Sequence, residues 1–157
     1  MRLNLSRWML YILVIGWSVI ALGIFSVKSA PAMAAPVPLS KQTPIQVRVE
    51  LGNEQGDLKF FPDHLSFEAG KRYQLVLENH SPTKHYFTAK DFADGIWSQK
   101  VDAGNVEVKG AIHELELRSQ THADWVFIPA RAGEYALRCT VPGHAEAGMV
   151  GTINISG

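Results

Sequence analysis

Cys139-Thr-Val-Pro-Gly-His144-Ala-Glu-Ala-Gly-Met149 sets a thiol, an imidazole and a thioether on one short loop near the C-terminus. Soft sulfur donors select copper over magnesium or calcium, and one Cys with two His and a weak axial Met makes a trigonal copper site. The loop supplies three of those four groups. It cannot close around an ion from all sides, so a second His must come from a distant part of the chain.

Working outward, Gly133-Glu-Tyr-Ala-Leu-Arg-Cys139 alternates strictly, with Tyr135, Leu137 and Cys139 on one face. Such alternation is the period of a half-buried strand, and it brings the sulfur to the strand end beneath the loop. Pro142 restricts the backbone there and Gly143 permits the tight turn that swings His144 back toward the sulfur. The run Asn79-His80-Ser-Pro-Thr-Lys-His85-Tyr86-Phe87 offers two candidates for the missing imidazole, His80 and His85. It follows the alternating segment Arg72–Glu78, whose Tyr73, Leu75 and Leu77 share a face.

These ligand groups resemble the cupredoxins, small copper β-sandwiches, and the resemblance covers residues 43–157. The spacing Cys-x4-His-x4-Met is most similar to the loops of rusticyanin and auracyanin. In that family an Asn precedes the first His ligand by several residues and an apolar or aromatic strand follows it. Asn79 and Tyr86-Phe87 fit His85 in this way, whereas His80 adjoins Asn79 directly. The resemblance thus implies one type 1 copper ion held by His85, Cys139, His144 and Met149. It further implies that the backbone amide of Tyr86 donates to the Cys139 sulfur, with Asn79 and Thr140 as further polar neighbours.

The rest of the chain reads as an all-β, Greek-key sandwich. Ile45, Val47, Val49 and Leu51 alternate with Gln46, Arg48 and Glu50, and Gly52–Gly56 marks a turn. Short strands are expected at Leu58–Pro62, Leu65–Phe67, His85–Ala89, Val106–Val108, Ile112–Leu117, Ala123–Pro129 and Val150–Ile155. Residues 90–111 carry scattered aromatics without a sustained period, and a short helix or an irregular excursion is expected there.

Ahead of the domain, Arg2 and Arg7 precede the apolar run Trp8–Val27, and Ala32-Met33-Ala34 fits a small-x-small cleavage rule. Residues 1–34 therefore read as a signal peptide or a membrane anchor, with residues 35–42 as a proline-containing linker and 43–157 as the domain. The expected compartment is exported, the periplasm or a thylakoid lumen, with residues 8–27 as the tether if the leader is retained. Three of the fifteen basic residues lie in the leader, while all fifteen acidic residues follow it. That mildly acidic domain argues against nucleic acid as a partner.

A single Cys cannot form an internal disulfide in an exported chain, which leaves its thiol free for a metal. No His-x-His pair occurs, as the trinuclear centre of a multicopper oxidase requires, and a binuclear purple centre needs a second Cys in the loop. The expectation is a monomeric, non-enzymatic one-electron carrier that meets redox proteins transiently. The alternatives are a copper delivery or sequestration module, and a non-shuttling subunit of a membrane complex. His64, His113 and His122 have no ligand spacing to one another, and Trp97 and Trp125 are read as packing residues.

Overall fold

The computed structural model describes residues 36–157. The expectations for the leader, its apolar run and its cleavage site lie outside the described residues. The chain enters through a short 3-10 turn at Leu39–Lys41, so the proline-containing stretch is not extended throughout. It then forms β1 (Ile45–Leu51), β2 (Phe60–Phe61), β3 (His64–Glu68), β4 (Tyr73–Asn79) and β5 (His85–Thr88). A single helical turn, α1 (Lys90–Ala93), leads into β6 (Ile96–Ala103) and β7 (Val106–Val108). Finally come β8 (Glu114–Leu117), β9 (Thr121–Pro129), β10 (Gly133–Arg138) and β11 (Val150–Ser156).

These strands build two sheets, one ordered β2-β1-β4-β9-β6-β7 and the other β3-β11-β10-β5-β8. Two pairs are parallel, β1 with β4 and β3 with β11; the others are antiparallel. The chain changes sheet repeatedly, so the alternating apolar residues of both sheets meet between them. Val49, Leu51, Leu75, Leu77, Trp125 and Phe127 from one sheet pack with Phe67, Phe87, Leu137, Ile153 and Ile155 from the other, all buried.

Aromatic rings bridge the layers. Phe67 of β3 lies edge-on to Phe127 of β9 with centroids 5.2 Å apart, and Phe87 of β5 lies edge-on to Trp125 at 6.3 Å. Phe92 of α1 adds a ring against both Phe127 and Trp125. Edge-to-face pairs of this kind contribute about 0.5–1.5 kcal/mol beyond their buried area. Trp125 is a packing residue in the core, and its indole N–H donates to Ser98 Oγ at 2.8 Å. Trp97 is exposed.

Within residues 90–111 the expected short helix is present, but most of the remainder is ordered strand rather than an irregular excursion. Only Lys90–Ala93 is helical, and Ile96–Ala103 is an eight-residue strand paired with β9. Its register shifts between Ser98 and Lys100. A bulge inserts one residue and moves the following side chains to the opposite face. Ile96 and Ser98 therefore face inward before the bulge and Val101 after it, which erases the period-two signal.

Phe127 is fully buried and touches Phe67, Tyr73, Phe92 and Trp125. Phe127→Ala should lower unfolding free energy by about 3–5 kcal/mol, measured by urea denaturation of metal-free protein. A loss below about 1 kcal/mol would show that this cluster is not the core, since buried Phe truncation costs several times that.

Candidate metal centre

Two chain reversals at one end of the sandwich carry the predicted ligands. Asn79 closes β4 and His85 opens β5; Cys139 follows β10 and Met149 precedes β11. β5 and β10 are neighbours, paired at Thr88 and Arg138, and this adjacency brings His85 to Cys139 across 54 positions of sequence.

The donor atoms converge. Nδ1 of His85 lies 3.2 Å from Nδ1 of His144, and the Cys139 sulfur lies 3.5 Å from His144 Nδ1 and 4.0 Å from His85 Nδ1. Metal bonds of about 2.0 Å to nitrogen and about 2.3 Å to sulfur, at trigonal angles, separate such donors by about 3.5 Å (N to N) and about 3.7 Å (N to S). The observed triangle has nearly those edges, so the residues fit a trigonal ion. Soft sulfur with two imidazoles is a copper donor set.

The ligand loop is closed by its own main chain. The Cys139 N–H donates to the Met149 carbonyl at 3.0 Å, and the Met149 N–H donates to the His144 carbonyl at 2.9 Å. Met149 thus ties both other loop ligands together through its backbone, while its side chain is fully buried. The His144 N–H returns to the Val141 carbonyl at 3.0 Å, across a turn in which Gly143 takes φ +85°. That left-handed value favours glycine, as the sequence anticipates.

The Tyr86 N–H donates to the Cys139 sulfur at 3.3 Å, which is the contact the resemblance implies. A hydrogen bond to a ligand sulfur withdraws electron density from it and helps set the potential of such a centre. Asn79 acts one step further out. Its side-chain amide donates to the carbonyls of Thr83 (2.8 Å) and Leu117 (2.9 Å), pinning the turn that delivers His85. The Thr140 hydroxyl donates to Glu114 at 2.7 Å and lies 3.2 Å from the Thr88 hydroxyl.

His85 is fully buried. Burial first, and then the electrostatic interaction with the His144 ring, push its pKa down to about 4. A ring that resists protonation keeps its lone pair for a metal, since a ligating imidazole must be neutral. His144 is half-buried at the rim.

His80 stands apart from the triangle. It is exposed, and its Nε2 lies 3.6 Å from Glu78 in a group that also includes Glu50. Glu78 is already ion-paired with Arg48, whose hydrogen bond holds this carboxylate below the usual range. His64 and His113 each sit 2.7 Å from a carboxylate, of Asp63 and Asp94 respectively, and His122 is exposed.

Sequence reasoning missed Ser81 and Gly52. The Ser81 hydroxyl lies 2.8 Å from His85 Nε2, and a Cβ at Gly52 would lie 2.8 Å from the same nitrogen. Both sit beside a turn or strand end, where polar and glycine residues attract no notice. Their pairing with His85 is visible only in three dimensions.

Residues 47–156 match the profile of copper binding proteins of the plastocyanin/azurin family. The chain is 26% identical to a plastocyanin from Dryopteris crassirhizoma over 108 residues, covering 69% of this chain and 98% of that protein. It also resembles the solved structure of dithionite-reduced auracyanin from the photosynthetic bacterium Roseiflexus castenholzii, with TM-score 0.52 and 15% identity over 71% of this chain and 97% of that one. A multicopper oxidase from Aquifex aeolicus matches with TM-score 0.58 and 12% identity, over 80% of this chain but 32% of the oxidase. The two structural likenesses show the sandwich fold.

The geometry separates the two candidate histidines experimentally. In copper-loaded protein, His85→Ala should abolish the intense visible absorption of a copper–thiolate centre while His80→Ala preserves it. Optical titration with Cu(II) reads both, and the reverse pattern would reject the assignment of His85.

Proposed function

We infer that this chain, which belongs to the plastocyanin/azurin family of copper-binding proteins, carries single electrons on one type 1 copper ion. The observation behind this reading is the convergence of two imidazoles and one thiol, all within 4.8 Å, at one end of a rigid sandwich. Bound copper supplies a reversible one-electron couple.

The protein's own part is to present the donors and to keep them still. With copper bound, Cys139 would hold it through its sulfur as a thiolate, and His85 and His144 would hold it as neutral rings through the converging Nδ1 atoms. Met149 would add its thioether, carried by the loop that its backbone closes. Main-chain hydrogen bonds hold Cys139, His144 and Met149 in place, so the ligand geometry is set before and after a change of charge. Little rearrangement then accompanies electron gain or loss.

His144 is the donor nearest to solvent. Around it Pro142, Gly143, Ala147 and Gly148 are exposed and Ala145 is half-buried. These small side chains make a shallow surface suited to brief docking with a redox protein, the small-interface regime of electron-transfer encounters. Glu146, exposed in the middle of this rim, favours a partner with a basic contact surface.

A carrier accounts for the site better than an enzyme does. The plastocyanin match extends over nearly all of that protein, whereas the oxidase match takes in about a third of that chain. The N-terminal charge and hydropathy pattern supports an exported compartment, periplasm or thylakoid lumen, with the domain acting as a monomer.

Copper-loaded protein should show an intense visible charge-transfer band that disappears in Cys139→Ser, together with a reversible one-electron wave in voltammetry. Stoichiometric copper without colour would instead favour delivery or sequestration. Met149→Leu should keep the band and raise the reduction potential, because a thioether donor to the oxidised ion would be removed. An unchanged potential would remove Met149 from the ligand set.

A further inference from the structure

Ser81 is fully buried in the turn between β4 and β5. Its hydroxyl lies 2.8 Å from Nε2 of His85, and among the described residues that nitrogen has no other hydrogen-bond partner. The turn is fixed from several sides. Asn79 Oδ1 accepts the Ser81 N–H at 2.9 Å, the Ser119 hydroxyl donates to the Ser81 carbonyl at 2.6 Å, and Asn79 Nδ2 donates to the Thr83 carbonyl at 2.8 Å. Gly52, at φ +72°, closes over the pair: a Cβ there would stand 2.8 Å from His85 Nε2 and 3.0 Å from Ser81 Cβ.

A serine hydroxyl has one hydrogen to give and two lone pairs to offer. Ser81 Oγ gives its hydrogen to the Thr83 carbonyl at 2.8 Å and receives the Thr83 N–H at 3.2 Å. One lone pair remains, and Nε2 at 2.8 Å is far closer to it than the Thr83 hydroxyl at 3.5 Å. The hydroxyl reaches full capacity when Nε2 carries the ring hydrogen. A neutral ring in that tautomer leaves Nδ1 bare, the atom that faces His144 and Cys139.

We propose that Ser81 is the positioning residue of His85: its hydroxyl selects the Nε2–H tautomer and locks the ring so that Nδ1 is aimed at the metal position before any metal arrives. The proposal rests on reading the site as a copper centre. Accepting a hydrogen bond from the far side of a ligating imidazole also raises the basicity of the ring and tightens metal binding.

Two-bond proton–nitrogen correlation spectra of copper-free protein read the tautomer directly. The unsubstituted protein should show His85 as the Nε2–H form alone. Ser81→Ala should convert it to a mixture of tautomers, weaken Cu(II) binding about 10–100-fold, and raise the reduction potential as the ring becomes a poorer donor to the oxidised ion. An Nδ1–H form in the unsubstituted protein would overturn the proposal without any variant having to fold. A folded Ser81→Ala protein with unchanged tautomer and potential would overturn it equally. The tautomer spectra use no copper, so they decide the role of Ser81 separately from the visible spectrum, where failure of the carrier reading would be seen.

Discussion

Three atoms with unshared electron pairs stand within bonding reach of a common point, and nothing in their mutual chemistry would gather them there. The backbone does the gathering. Strands β5 and β10 lie side by side, and the Tyr86 N–H reaches across to the Cys139 sulfur. That bond joins the strand carrying the first imidazole to the loop carrying the other ligands. The remaining loop contacts, from Cys139 to Met149 and from Met149 to His144, are also main-chain. Each contributes on the order of 1 kcal/mol, but together they specify positions rather than merely add stability. A site built this way keeps its shape whatever the charge at its centre.

The two histidines divide the work by their environments. His85 is sealed between Ser81, Gly52 and the other donors, with both ring nitrogens facing protein atoms. It cannot be approached from outside. His144 is half-buried on a loop of small residues, so the same coordination chemistry is exposed to a partner on one side only. A centre open on both sides would admit water and lose the low-dielectric shell that tunes it. One closed on both sides would have no route for exchange.

Much of this was legible in the linear order of residues. The alternation of Ile45–Leu51, Tyr73–Leu77 and Gly133–Cys139 corresponds to β1, β4 and the β10 end, with Val49, Leu51, Leu75, Leu77, Leu137 and Cys139 buried and Ile45 at the start of β1 exposed, and the Cys, His and Met spacing marked the loop. Local period and local spacing are properties of a chain segment, so a sequence can display them. Strand β6 was hidden because its bulge at Ser98–Lys100 reverses the facing of side chains partway along. Ser81 and Gly52 were hidden for a different reason. Gly52 ends one strand and Ser81 lies in the turn leading to another, and only the parallel pairing of β1 with β4 brings them over the same imidazole.

Outside the ligands, strand β8 reaches toward both ligand-bearing segments. Glu116 accepts from the Tyr86 hydroxyl and from Lys84, the residues flanking His85. Glu114 accepts from Thr88 and from Thr140, the residue after Cys139, each at 2.7 Å. Exposed bonds of this sort are individually weak. Their value is positional, because each carboxylate grips a neighbour of a metal ligand and holds β5 in register with the loop. Here the Tyr86 hydroxyl, and then Lys84, hold Glu116 below the usual carboxylate range, and the ammonium of Lys84 beside it answers its charge. That pairing keeps Glu116 ionised and accepting, so it holds both chain neighbours of His85 against β8.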